Sequence, residues 1–247
     1  MIFGWWKRRR RRRLLREEVP AEWWEHLKGL PFTSALDSDE AGRLVAYARA
    51  FEAETHFEGC LGFEITDKVV RSIALQACRL ILNLDQDHYR RVQTVLVYPS
   101  AFEYTPPDAE PFRAAGLAVP NGPVILSWQH VRLGARNGRD GRNVVYHEFA
   151  HKLDMLDGYT DGTPSLETET QFHAWEEIVR KEHGRLRRHA KRGKKTLIDH
   201  YGSTNVGEFF AESTETFFER PRRMKKRHPE LYARLERFYR QDPAARL

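Results

Sequence analysis

The sequence predicts an α+β fold, mainly helical, with a small mixed sheet in the middle of the chain. Three observations lead there. Helical spacing dominates the first third and the last hundred residues, two short β-branched or aromatic runs lie between them, and Pro and Gly punctuate the change of period. Helices, then a few strands, then helices is an α+β order. A chain of 247 residues is ample to bury a core without a disulfide or metal staple.

Taken in order, Asp37-Ser-Asp-Glu opens a helix running to about Phe57, with acids in its first turn and Leu44, Ala48 and Phe51 on one face. Thr66 or Asp67 caps a second helix, Val69 to Leu84, whose Val70, Ile73, Ala77 and Ile81 predict burial. Val92 to Tyr98 and Val124 to Trp128 read as strands, separated by a Pro-rich connection from Thr105 to Pro111. A glycine-rich turn spans Gly134 to Gly141. Helical signals return near Asn143 to Leu156, Glu167 to His189, Val206 to Glu219 and Pro229 to Tyr239. No linker or repeat interrupts this series, so residues 17–247 are expected to form a single domain.

Apolar residues make up 40% and charged residues 31%, with no run near the roughly 18 apolar residues that a membrane span needs. Cys60 and Cys78 are too few for a disulfide framework or a Cys-rich metal module. They fit a reducing compartment, and a cytoplasmic location is expected. The net charge of +6 suggests an acidic partner, but eight basic residues, Lys7 to Arg13 and Arg16, lie within the first 16 positions. Without them, 33 basic residues face 35 acidic ones. The excess belongs to a tail, which is expected to be solvated and poorly ordered. Its apolar residues precede its charges, the reverse of a secretory signal. Trp5 and Trp6 beside the arginines make weak contact with an anionic membrane surface the functional alternative for residues 1–16. Basic stretches recur at Arg185 to Lys195 and Arg220 to Arg227. They are expected to be solvated helix ends or loops, and without base-stacking aromatics no direct nucleic-acid contact is expected of them.

The sharpest chemistry lies in His147-Glu148-Phe-Ala-His151. Two histidines four apart share a helix face, so both imidazoles can reach one ion. Zinc suits nitrogen donors, and Glu148 beside the first ligand is placed to act as general base. The surrounding Val144, Val145, Phe149, Ala150 and Leu153 predict a buried helix, where charged groups need a partner or a metal.

A third ligand has two candidate sources. Asp157 stands six residues after His151, but Asp154 occupies the position where a turn back to the metal favours glycine. Asp157 is therefore the lesser candidate, and a turn at Asp157-Gly158 is its simpler role. The other source is the stripe Glu208, Glu212, Glu215 and Glu219, on a helix that Phe209, Phe210, Phe217 and Phe218 should pack into the body. Spacing leaves open whether Glu208 or Glu212 is the ligand, the other being free to orient a ligand histidine.

The segments His147-Glu-Phe-Ala-His-Lys-Leu-Asp-Met-Leu-Asp-Gly158 and Tyr201-Gly-Ser-Thr-Asn-Val-Gly-Glu-Phe-Phe-Ala-Glu-Ser-Thr-Glu-Thr-Phe-Phe218 resemble the zinc-dependent peptidase family of Mlc titration factor A. The likeness extends less sharply from Pro20 to about Tyr239. The family's catalytic part is similar to the anthrax lethal factor protease domain, a gluzincin. The resemblance implies a zincin-like fold with its small mixed sheet beside the HExxH helix. It also implies one zinc ion held by His147, His151 and Glu208, with Glu148 as base, Tyr201 in the catalytic set and Glu212 behind the ligands. Tyr201 then fits as a hydroxyl donor to the tetrahedral oxyanion. The Val124 to Trp128 strand is expected to be an exposed edge along which an extended peptide adds.

Two further functions stand beside a peptidase acting on peptide or protein substrates, for which aminopeptidase activity is one form. The resemblance implies binding of an Mlc-like transcriptional repressor of sugar uptake. Nucleic-acid binding through the basic tail is the third reading, and it predicts a strong dependence on salt.

Overall fold

Local capping sets where most helices begin. In the computed structural model, which describes residues 13, 17–106 and 110–246, α1 (Ala21–Lys28) buries Trp23 and Leu27 one turn apart. Helix α2 (Ser38–Glu54) starts on a capping box: Asp37 accepts from the Glu40 N–H at 2.8 Å, and Glu40 accepts from the Asp37 N–H at 3.3 Å. The expected helix to Phe57 stops at Glu54 because the chain turns extended at Thr55 and pairs as strand β1 (His56–Gly59). Helix α3 (Asp67–Leu80) follows Thr66, and Val70, Ile73 and Ala77 are buried as the spacing predicts. It ends at Leu80 rather than Leu84, although Ile81 and Leu84 remain in the core.

The four-stranded sheet has the order β1-β2-β6-β5. Strand β2 (Thr94–Tyr98) runs parallel to β1 and to β6 (Val124–Ser127), and β5 (Gly116–Ala118) is antiparallel to β6. This corrects the expectation that Val124 to Trp128 is an exposed edge. Val124 and Leu126 are fully buried with a strand on either side, and the edges are β1 and β5. The residues on either side of the Pro-rich connection form a separate two-stranded antiparallel pair of β3 (Phe102–Tyr104) and β4 (Phe112–Ala114). Trp128 does not extend the strand. It begins α4 (Trp128–Arg136), an element with no sequence assignment above, inside which Gly134 lets Asn143 approach closely.

Helix α5 (Val144–Asp154) is capped by Asn143, whose side-chain oxygen accepts from the N–H groups of Val145 and Tyr146 at 3.1 Å. It lies against the sheet and packs on α3 and α7. Phe149 closes its inner face, with ring centroids 5.0 Å from Tyr89 and 5.6 Å from Phe51. Thr168 caps α6 (Glu169–Lys191), and Asn205 caps α7 (Val206–Glu219). Helices α8 (Pro221–Arg227) and α9 (Pro229–Tyr239) each carry proline in their first turn. Phe209, Phe210, Phe217 and Phe218 are buried, which seats α7 in the core and turns its remaining face toward α5.

Among the described residues, no helix is long and apolar enough to cross a membrane. Trp5, Trp6 and all but Arg13 of the basic tail lie outside the described residues. Arg13 is exposed and pairs with Glu17 at 3.1 Å.

Candidate metal centre

The i, i+4 spacing on α5 sets the His147 and His151 rings 5.0 Å apart. Glu208 reaches them from the first turn of α7, where the Asn205 cap fixes its backbone by accepting from the Glu208 N–H at 2.9 Å. Glu208 Oε2 lies 2.9 Å from His147 Nε2 and 3.4 Å from His151 Nε2. One donor atom from each of His147, His151 and Glu208 lies within 4.8 Å of the others. Two imidazole nitrogens and a carboxylate oxygen aimed at one point, on a largely buried surface, form a donor set that fits a metal ion.

The electrostatics follow from crowding and burial. Burial alone would raise the Glu208 carboxyl, but hydrogen bonds from His147 and His151 hold it down at about 2. Burial alone would lower His147, yet Glu208 and Glu215 keep it well above the ordinary histidine value. Glu148 is 6% exposed, and burial raises its pKa while His147 and His151 pull it down. A carboxylate so placed is poised nearer neutrality than a solvated one, as a general base needs.

The stripe on α7 divides its roles in a way that spacing alone did not resolve. Glu215 Oε1 lies 2.7 Å from His147 Nδ1, while Glu212 is 3.8 Å from the same atom. Glu215 is thus the nearer carboxylate to this nitrogen, and Glu212, expected behind the ligands, lies beside it. The physical reason is helical phase: seven residues after Glu208, Glu215 returns to within about 20° of it, two turns along the axis. Glu215 also accepts from the Asn143 N–H, so it ties the start of α5 to α7. Glu212 is buried beside Glu215, and burial followed by that neighbouring charge pushes its pKa up to about 8. One oxygen of Glu212 also lies within 4.8 Å of donor atoms of His147 and Glu215, a second group of side chains on the far side of the His147 ring.

Tyr201 stands on the 3-10 turn His200–Ser203, half exposed, its ring 6.1 Å from that of His147. Asp157 is exposed and accepts from the Tyr159 N–H at 3.0 Å. It takes the turn role and is absent from the donor clusters among the described residues.

Two features had no recognised sequence signal. A Cβ on Gly116 would lie 2.5 Å from Glu148 Oε1, so only glycine lets the edge strand β5 pass this close to the carboxylate. Lys152, next to His151, is buried and donates from Nζ to the carbonyls of Val119 and Gly122 at 2.6 and 2.9 Å. It fastens the β5–β6 turn to α5, and burial lowers its pKa to about 8.

Residues 5–240 match the family described as glucose-regulated metallo-peptidase M90. The chain belongs to the M90 metallo-peptidase family. Relatives of the chain include two proteins named Mlc titration factor A. That of Edwardsiella ictaluri is 31% identical, covering 91% of this chain and 89% of its own length. That of Serratia proteamaculans is 30% identical, covering 93% and 90%. An uncharacterized protein of Synechocystis is 37% identical over 89% of this chain and 84% of its own. Membership of M90 implies a metal, and the cluster of His147, His151 and Glu208 is a place that can hold it.

Proposed function

We propose that this chain is a zinc-dependent metallopeptidase of the zincin-like, gluzincin type, hydrolysing peptide bonds with Glu148 as general base. The observation that carries this reading is the convergence of His147 Nε2, His151 Nε2 and Glu208 Oε2 beside Glu148, on two helices that share a buried interface. Zinc, when bound, supplies a Lewis acid that activates water and polarises the scissile carbonyl. Glu148 takes the proton from the attacking water and returns it to the leaving amine. Tyr201 donates its hydroxyl to the oxyanion, charge that exists only in the transition state. Glu215 holds the His147 ring, and Glu212 lines the site behind it.

Substrate fits as an added strand on β5, the sheet edge that passes over Glu148 at Gly116. The continuous core supports residues 17–247 as one working unit, and free Cys60 and Cys78 fit the cytoplasm as its compartment. Purified wild-type protein should contain one zinc ion per chain, and His147→Ala and Glu208→Ala should lose it. Glu148→Gln should keep zinc and lose hydrolysis; full activity in that variant would refute the assigned base.

A second reading is favoured by the name of the relatives, Mlc titration factor A. It holds that the chain binds an Mlc-like repressor and that proteolysis is secondary. A Glu148→Gln protein that still captures the repressor and relieves repression supports it.

A further inference from the structure

The two basic stretches within the body meet at one cavity. Arg185 to Lys195 carries seven Lys or Arg and Arg220 to Arg227 carries six, with no Asp or Glu in either. The rest of the chain from residue 17 holds 20 basic residues against 35 acidic ones. Charge is therefore segregated within a nearly neutral body. The segments meet around a cavity of about 90 Å³ lined by Arg185, His189 and Lys195 from one and by Arg227 from the other. A hydrogen bond of 2.7 Å between Glu182 and His228 joins α6 to the end of α8. Apart from Arg220, every cation in the two stretches is exposed. Among the described residues, only Arg185, with Glu182 at 3.7 Å, and Lys225, with Asp242 at 2.8 Å, form ion pairs there. The field is felt locally: desolvation and the cations of Arg185, Lys194, Arg188 and Arg192 depress the pKa of His189.

This surface leads into the metal centre. Tyr201 stands six residues after Lys195, and His200 is tied back to the Lys194 carbonyl at 2.8 Å. The Tyr201 turn packs on both α6 and α7. A Cβ on Gly202 would meet Glu212 at 3.2 Å on one side and Leu186 at 3.4 Å on the other. We propose that the joined surface of Arg185 to Lys195 and Arg220 to Arg227 captures an acidic segment of a polypeptide substrate while the scissile bond enters the cleft at Tyr201 and Glu148. The proposal rests on the peptidase reading above.

Polypeptide is favoured over other polyanions by two observations. None of the large apolar side chains exposed among the described residues falls within 184–195 or 220–228, so these segments offer no platform for stacking bases and no wedge for a bilayer. The surface also runs into a site whose donor set suits peptide hydrolysis. Complementary charge of this kind speeds encounter and sorts partners.

The test uses a fluorescent peptide with a run of glutamates joined to a neutral cleavable segment, and its glutamine counterpart. Anisotropy on the full-length Glu148→Gln protein should show the acidic peptide bound about tenfold more tightly, with a steep loss in salt. Adding Arg187→Glu, Arg188→Glu, Arg222→Glu and Arg223→Glu should erase the difference. In the active protein these four reversals should raise KM for the acidic peptide, leave kcat unchanged, and leave cleavage of the glutamine peptide unaffected. Equal binding of the two peptides overturns the proposal, as does an undiminished preference in the reversed variant. Tighter binding of a short DNA duplex or of phosphatidylserine vesicles through the same arginines overturns it in favour of those partners. If no peptide is cleaved but the charge-dependent binding stands, the peptidase reading fails alone. If both peptides are cleaved and bound alike, this inference fails alone.

Discussion

Glu215 Oε1 lies 2.7 Å from His147 Nδ1, while the opposite ring nitrogen faces Glu208 at 2.9 Å. One carboxylate thus fixes the ring's orientation, and the other faces the edge that the proposed metal would share. Glu215→Gln should weaken metal affinity by roughly 10- to 100-fold, measured by competition with a chromophoric chelator. Glu212→Gln should change it far less. A larger loss from Glu212→Gln would mean that the two roles are exchanged.

Gly116→Ala should impair catalysis without removing the metal. The added methyl meets Glu148 at 2.5 Å and must displace either the carboxylate or the edge strand. A shift of that kind at a reacting group can cost on the order of 100-fold in kcat/KM. Unchanged turnover with full metal occupancy would show that Glu148 does not work from the position described.

Tyr201→Phe removes a hydroxyl from a half-exposed side chain outside the core. Thermal stability should be unchanged and KM little altered. The loss of one oxyanion donor should lower kcat by roughly 10²- to 10³-fold. A wild-type kcat would reduce Tyr201 to a packing residue.

Glu219, one turn beyond Glu215 on α7, carries a pH dependence of its own. Burial raises its pKa from 4.5 to about 8, and its carboxylate accepts from the N–H groups of Gly141 and Arg142. Between those two values the folded chain retains a proton that the unfolded chain has released. The stability contributed by Glu219 is therefore complete below 4.5 and is lost as the pH rises through about 8. Glu219→Gln removes this titration, so the fall in Tm between mildly acidic and mildly alkaline buffer should be smaller in the variant. Equal slopes by calorimetry would count against a raised Glu219.

The sequence by itself determined the features that depend on contacts within about four residues. The Asp37 and Glu40 capping box starts α2, the Asn143 cap starts α5, and spacing alone puts His147 and His151 on one face. The phenylalanines of α7 specify a helix packed into the core, and spacing alone makes Glu208 one of two possible ligands. What spacing could not decide was the rotation and translation of α7 against α5, some 61 positions away in the chain. That docking brings Glu208 to both histidines and hands the other nitrogen of His147 to Glu215 instead of Glu212. The edge of the sheet is settled by the same kind of distant partnership. Val124 to Ser127 has the composition of a strand anywhere in a sheet, and only its pairing with β2 and β5 makes it central and leaves Gly116 passing over Glu148. Likewise, two charge runs that read as separate solvated segments come to one cavity because α6 and α8 meet at Glu182 and His228. Periodicity and caps are local properties of a chain, whereas partnership between side chains distant in sequence is settled only when the elements pack.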